Sequence, residues 1–85
     1  MFGNVLGGNV SLANYNQIKR GMSEAQVRAI MGTPTETADR AGMHVDTWKS
    51  GDSFIVVSFA NGKAVVGKCH ITDGAAFVES QGALP

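Results

Sequence analysis

Cysteine and charge are both scarce in this chain, and each scarcity excludes a class of function. Cys69 is the only cysteine, so no intrachain disulfide can form, and with His44 and His70 it falls short of a zinc-type Cys/His cluster. Seven Lys and Arg balance seven Asp and Glu, so no basic field exists to hold a nucleic acid or an anionic membrane. We therefore expect no nucleic-acid partner.

Long apolar runs are also missing, which bears on membranes and export. No stretch approaches the roughly 18 apolar residues of a spanning helix. The first eleven residues have neither a basic start nor a sustained apolar segment, unlike a signal peptide. The chain as written predicts no direct membrane insertion and no export, and a precursor that has lost its leader is the alternative.

The 85 residues suit one small domain, and 44% hydrophobic residues argue for a folded chain. We predict a flexible N-terminal arm at 1–12, an α+β domain at 13–72 and a C-terminal tail at 73–85. The predicted fold class is two short N-terminal helices packed on a three-stranded antiparallel sheet, in the order α-α-β-β-β.

Two helices are predicted from local signals. Helical spacing after Asn14 indicates a short first helix that ends at Gly21. Ser23 and Gln26 form the S-x-x-Q capping box, and Gly32 with Pro34 ends the second helix soon after Met31.

Three strands are predicted in the second half: MHVDTWKS, SFIVVSFA and KAVVGKCHI, separated by Gly51-Asp52 and Asn61-Gly62. Asn61-Gly62 suits a type I′ hairpin turn. The middle strand is apolar on both faces, so a second face needs cover from the arm, the tail or another chain. Residues 36–40 are a weaker strand candidate, either an edge strand or a mobile loop. The segment after Ile71 is predicted to be mostly irregular, with one helical turn at 75–79.

Catalytic and ligand-binding patterns are weak. His44, Asp46 and Ser53 offer triad chemistry without a nucleophile turn, and Cys69 reads as a buried structural thiol. The carboxylates lack calcium-loop spacing. We therefore predict no enzyme, no cofactor and no metal site, and a small enzyme using His44 or Cys69 is the least favoured reading.

The order of signals Y-x-x-I-x-x-G-M-S-x-x-Q-V-x-x-I-M-G-x-P, a Trp-bearing strand and S-F-I-V-V-S-F-A-N-G-K-A-V resembles the SmpA/OmlA (BamE-like) family of small outer-membrane-assembly lipoproteins, and the related β-lactamase-inhibitor-protein-like fold. The resemblance covers about residues 14–67 and implies protein binding without catalysis. The family's lipid-modified cysteine near the N-terminus has no counterpart, since Cys69 lies in the third predicted strand. Lipid anchoring is therefore not carried over.

The resemblance implies a non-enzymatic protein-interaction module, with self-association as one version of it. The alternative is an inhibitor that binds a secreted or cell-wall enzyme. A periplasmic or outer-membrane location follows if a leader is missing, and a cytoplasmic one if the chain is complete. The residues that we predict to contact a partner, or a second copy, lie on the first two predicted strands and the turn between them: Met43, His44, Trp48, Asp52 and Phe54.

Overall fold

The computed structural model describes residues 9–73 and 76–85. Two short helices precede five antiparallel strands, and each strand pairs with its neighbour along the chain, giving the sheet order β1-β2-β3-β4-β5. The elements are α1 (Leu12–Tyr15), α2 (Glu24–Met31), β1 (Glu36–Arg40), β2 (Met43–Ser50), β3 (Ser53–Ala60), β4 (Lys63–Asp73) and β5 (Ala76–Ala83).

The prediction of a three-stranded sheet is wrong, because a further strand flanks the predicted meander on each side. β1 pairs with β2 and β5 pairs with β4. All side chains of β1 and β5 are exposed, so neither strand carries the alternation of apolar and polar residues that marks a half-buried strand. Backbone pairing holds these two strands, so the side-chain pattern left β1 as one of two alternatives and did not indicate β5.

The polar segment at 36–40 forms the edge strand β1, one of the two readings that its composition allowed. The C-terminal segment is not irregular, since 76–83 form β5 and the predicted helical turn is absent there. Residues 74 and 75 lie outside the described residues, as do residues 1–8 of the predicted arm.

The second helix begins and ends where its sequence signals place it. The Ser23 side chain accepts a hydrogen bond from the Gln26 backbone, and the Gln26 side chain accepts one from the Ser23 backbone. Gly32 has a φ of 83°, which ends the helix. The capping box predicted from S-x-x-Q is confirmed.

The first helix is shorter and starts earlier than predicted. It spans Leu12–Tyr15, and Ser11 caps it by accepting a hydrogen bond from the Asn14 backbone. The chain then continues through turns to Ile18, which is buried in the core. The S-x-x-N signal at Ser11 lay inside the segment predicted as an arm.

Three two-residue turns connect the first four strands. Asn61 and Gly62 both have positive φ, as a type I′ turn requires, and this confirms the hairpin prediction. Ala41 and Gly42 adopt the same pair of signs, whereas Gly51 has positive φ ahead of Asp52. The strand boundaries predicted for β2 and β3 are confirmed, and β4 extends two residues beyond its predicted end.

The hydrophobic core lies between α2 and one face of the sheet. On β3, Ser53, Ile55, Val57 and Phe59 are buried, and the residues between them are half-buried. We call the face that carries the buried residues the inner face and the opposite one the outer face. The core side chains are Tyr15, Ile18, Val27, Met31, Trp48, Ile55, Val57, Phe59, Ala64, Cys69 and Leu84.

Backbone hydrogen bonds join the helical layer to the start of β4. Gly21 donates to the Ala64 carbonyl, and Ala64 donates to the Met22 carbonyl, both at 2.8 Å. Ser23 also forms an isolated bridge with Lys63. α2 therefore begins directly above the third hairpin turn. Within the described residues, no helix has the length and apolar character needed to cross a bilayer.

Candidate functional site

Two surfaces of the sheet hold the residues that the sequence singled out. The outer face carries Phe54, and the inner face carries His44 and Trp48. Met43 is half-buried at the start of β2, and Asp52 is exposed in the turn before β3. The structure therefore does not bring the five predicted partner-binding residues into one surface, and their role stays a prediction.

Trp48 is a core residue, 3% exposed, and its indole nitrogen donates a hydrogen bond to the Gly32 carbonyl at 3.0 Å. This bond satisfies a carbonyl at the end of α2 and fixes the helix against β2. The position of Trp48 therefore supports a role in core packing.

The outer face carries a row of three rings across β3, β4 and β5. The Phe54 and His70 rings stack with centroids 5.7 Å apart, and the His70 and Phe77 rings stack at 5.2 Å. His70 Nδ1 lies 2.8 Å from a Glu79 carboxylate oxygen, and the Lys68 ammonium lies 5.7 Å from the Phe54 ring centre. Phe77 is 59% exposed, so this row presents aromatic surface to solvent.

Apolar side chains extend the outer face beyond this row. Val56 is half-buried beside Phe54, and Val66 is exposed on β4. Lys49 forms an ion pair with Glu36 at 2.7 Å, which gives the β1 side of the face a charged border. Apolar and aromatic surface with a polar border is typical of protein contact surfaces.

On the inner face, α2 and β2 bring together a cluster of charged side chains. His44 Nε2 lies 2.8 Å from Glu24 Oε2 and 2.9 Å from Asp46 Oδ1. His44 Nδ1 lies 2.9 Å from Asp39 Oδ1. Arg28 Nη2 lies 2.8 Å from Glu24 Oε2, and its Nε lies 3.5 Å from Asp46 Oδ2. We call these five residues the inner charge cluster.

Asp46 is the buried member of this cluster, with 0% of its surface exposed. Burial raises the pKa of the Asp46 carboxyl, and the neighbouring Glu24 carboxylate raises that pKa further. Contact with Asp46, followed by the charges of His44 and Arg28, lowers the pKa of Glu24. The hydrogen bond with Asp39 raises the pKa of His44. One fully buried carboxyl thus lies beneath several partly exposed charges.

The structure does not place His44, Asp46 and Ser53 together as a catalytic triad. Ser53 lies at the opposite end of β3 from Phe59, the residue that pairs with His44. The Ser53 hydroxyl contacts the Thr72 hydroxyl at 3.1 Å and accepts a hydrogen bond from the Thr72 backbone. The Ser53 side chain therefore links β3 to β4.

Cys69 is 1% exposed, which confirms the prediction of a buried structural thiol. Burial raises the pKa of the Cys69 thiol, so the reactive thiolate is disfavoured. His70 points to the outer face and Cys69 to the inner face, as adjacent residues in a strand do.

The inner charge cluster was missed by sequence reasoning because its members come from three elements. His44 and Asp46 stand two apart on β2, Asp39 lies on β1, and Glu24 and Arg28 stand four apart on α2. The i, i+4 spacing of Glu24 and Arg28 was the one local signal of an ion pair. Nothing in the linear pattern placed that pair over His44.

The fold and these surfaces define a small α+β domain in which one helical layer covers a single face of an antiparallel meander. Residues 7–49, half of the chain, match the family model of the outer membrane protein assembly factor BamE domain. The chain belongs to the BamE domain family, which confirms the predicted resemblance to SmpA/OmlA (BamE-like) proteins. A search of curated proteins gave no match, and neither did a search of solved structures.

The matched segment contains both helices, β1 and nearly all of β2, so the outer-face ring row on β3 to β5 lies beyond it. The family description is that of an assembly factor, a role of protein interaction. The β-lactamase-inhibitor-protein-like fold stays a prediction.

Proposed function

We propose that this chain is a non-enzymatic protein-interaction module of the BamE type, which offers its outer sheet face to a protein partner in outer-membrane assembly. The observation that carries the proposal is the ring row of Phe54, His70 and Phe77 together with membership of an assembly-factor family. The family description also supports a place at the periplasmic side of the outer membrane.

Among residues 9–73 and 76–85, core packing covers the inner face of the sheet and leaves the outer face available to a partner. α2 and Leu84 pack on the inner face and bury it. In the described part of the chain, the segment after β4 extends the sheet sideways as β5 and does not fold back over the outer face. Burying aromatic surface such as Phe77 against a partner removes apolar area from water, which favours association.

Of the five residues predicted from the sequence, Phe54 is central to this proposed surface. Met43, at the far end of β2, lies on the same face, because adjacent strand residues point to opposite faces and its neighbour His44 is on the inner face. The buried Trp48 supports the surface from the core side. The outer face could bind a copy of the same chain instead of another protein, and the two versions are separated by measurement.

A site-specific photo-crosslinker tests the proposal. It is placed at Phe54 on the outer face and, as the matched control, at the exposed Ala29 on α2. We expect an outer-membrane assembly component to be crosslinked in bacterial envelopes from Phe54 and not from Ala29. Equal products from both positions, no product from Phe54, or a hydrolase as the product would contradict the proposal.

Analytical ultracentrifugation tests the self-association version. If the outer face binds a second copy, the sedimentation coefficient should rise with concentration, and Phe77→Ser should abolish that rise. A concentration-independent monomer rejects self-association and leaves the heterologous partner as the remaining version. The inhibitor alternative calls for exposed aromatic or acidic residues at one end of the sheet. Trp48 is buried, so at the Gly51-Asp52 turn the exposed Asp52 is the one residue of the pair that remains for such a contact.

A further inference from the structure

Three potential metal ligands of the inner charge cluster converge on one point between α2 and β2. Glu24 supplies a carboxylate oxygen from the first turn of the helix, and His44 and Asp46 project from the same face of the strand. Their ligand atoms all lie within 4.8 Å of one another. Imidazole nitrogen and carboxylate oxygen are common ligands of divalent transition metals.

Asp46 gives independent support for a ligand at this point. Its carboxylate is fully buried, and among the described residues neither of its oxygens receives a hydrogen bond of acceptable geometry. The neighbouring His44 Nε2 also lacks such a bond, although it lies within 2.9 Å of Asp46 Oδ1. Buried carboxylates are ordinarily hydrogen-bonded or bound to a metal, whereas within the described part of the chain Asp46 has only its ion-pair contacts with Arg28 at 3.5 Å and with His44 at 2.9 Å.

Asp39 orients the imidazole as metal sites require. Its carboxylate lies 2.9 Å from His44 Nδ1, where it can accept a hydrogen bond from the Nδ1–H group. With that proton on Nδ1, the lone pair of Nε2 lies beside the Glu24 and Asp46 oxygens. A cation between these three atoms would replace repulsion with three bonds, and a carboxylate behind the ligating histidine is the usual second layer of such sites.

We propose that Glu24, His44 and Asp46 bind a divalent transition-metal cation, such as Zn²⁺, with Asp39 as the residue that orients His44. Tetrahedral zinc with bonds of about 2.0–2.1 Å separates its ligand atoms by about 3.3 Å. The separations of His44 Nε2 from the Glu24 and Asp46 oxygens, 2.8 and 2.9 Å, would therefore open by about half an ångström.

Access and charge agree with such a site. The side chains of Glu24 and His44 are 34% and 33% exposed, so a hydrated ion can reach them, while Asp46 forms the floor. Metal binding requires a neutral imidazole and ionised carboxylates; in that state the three carboxylates and the Arg28 guanidinium leave two negative charges, which a divalent cation would neutralise. Arg28 shares Glu24 Oε2 at 2.8 Å and is therefore a competing cation.

The sequence predicted no metal site, because it contains neither calcium-loop spacing nor a Cys/His cluster. The proposal rests on the tertiary placement of Glu24 over β2 and goes beyond the protein-interaction role. Its test uses zinc chloride alone, so its failure would leave the role of the outer face unaffected.

Calorimetric titration of the full chain with zinc chloride in a non-coordinating buffer provides the test. We expect one zinc per chain, with His44→Gln and Glu24→Gln each weakening the affinity by about 10-fold or more. Because Glu24 is partly exposed on a helix, its variant keeps the test valid if His44→Gln fails to fold. Arg28→Gln is expected to bind zinc at least as tightly as the unmodified chain, since a competing cation is removed.

The matched controls are His70→Gln and Cys69→Ala. His70 also contacts a carboxylate, that of Glu79 at 2.8 Å, but it lies on the outer face away from the cluster. Both variants should keep the full zinc affinity. No binding at micromolar zinc, or equal losses in His70→Gln or Arg28→Gln and in His44→Gln, would overturn the proposal and identify the cluster as an ion-pair network alone.

Discussion

The Tyr15 ring lies directly against Gly67 of β4, at a place where no side chain fits. A Cβ atom on Gly67 would stand 2.5 Å from the Tyr15 hydroxyl oxygen and 2.8 Å from Leu84 Cδ2. The glycine thus allows both α1 and the C-terminal residues to pack closely on the sheet.

Gly67→Ala should therefore destabilise the fold by about 1–3 kcal/mol, because Tyr15 and Leu84 must both move away from the sheet. Urea unfolding followed by circular dichroism measures the loss. In a Tyr15→Phe background, where the closest atom is absent, the same substitution should cost less. Equal costs in both backgrounds would contradict the packing that we describe.

Trp48→Phe tests the bond between β2 and the end of α2. The Gly32 carbonyl would lose the indole donor that lies 3.0 Å away, and we expect a loss of about 1–2 kcal/mol. Since Trp48 is the only tryptophan, its fluorescence should also be blue-shifted in the folded chain and shift red on unfolding. Phe54→Leu on the outer face is the control and should cost less than about 1 kcal/mol. Unchanged stability of Trp48→Phe would argue against this bond.

A substitution at Ala41, in the turn between β1 and β2, should stabilise the chain. Ala41 has a φ of 52°, a conformation that disfavours residues with an ordinary Cβ, whereas Asn61 has a similar φ in the equivalent turn between β3 and β4. Ala41→Asn should stabilise the chain by up to about 1 kcal/mol, and the reciprocal Asn61→Ala should destabilise it by a similar amount. Thermal unfolding measures both, and changes of the same sign would contradict the prediction.

Alkaline pH should destabilise the core through Cys69 and Tyr15. Burial raises the pKa of both groups above their ordinary values of 9.0 and 10.0, and the charge of Cys69 raises the pKa of Tyr15 further. Because the folded pKa values exceed the unfolded ones, their stabilising contribution is complete below about pH 9 and is lost as pH rises through the folded values.

Urea unfolding between about pH 8 and pH 11 should show this decline, and the decline should be smaller in Cys69→Ala. The Cys69 thiol should also resist a disulfide reagent near pH 8 until denaturant is added. Rapid labelling of the folded chain, or an identical pH slope in Cys69→Ala, would contradict the burial of the thiol.

The parts of the fold that the sequence predicted correctly are those with local signals. Ser23 with Gln26 sets the start of α2, Gly32 sets its end, and Asn61-Gly62 sets a hairpin. Each signal depends on backbone conformation or a bond within a few residues, so no tertiary information was needed.

β5 could not be predicted because its stability comes from pairing with β4. Its side chains, including Phe77 and Val78, are exposed, so no buried face imposes a period of two on the sequence. Gly82, which pairs with Gly67, further weakens the apparent preference for a strand. A segment of this kind is recognised only when the neighbouring edge is known.

The inner charge cluster shows a similar limit for sites. Asp46 alternates with apolar neighbours on β2 and looks like an ordinary outward residue of a strand, yet it is fully buried. Its burial follows from the position of α2, whose Glu24 and Arg28 lie over it. Sequence spacing identified His44 and Asp46 as neighbours on one face and could not supply the helical residues that complete the cluster.

The nearest-neighbour order of the five strands also bears on how the chain reaches this structure. Every pairing in the sheet joins strands that only two residues of chain separate, so loop closure costs little conformational entropy at each step. Sequential zipping of neighbouring hairpins is therefore a kinetically accessible route to the sheet.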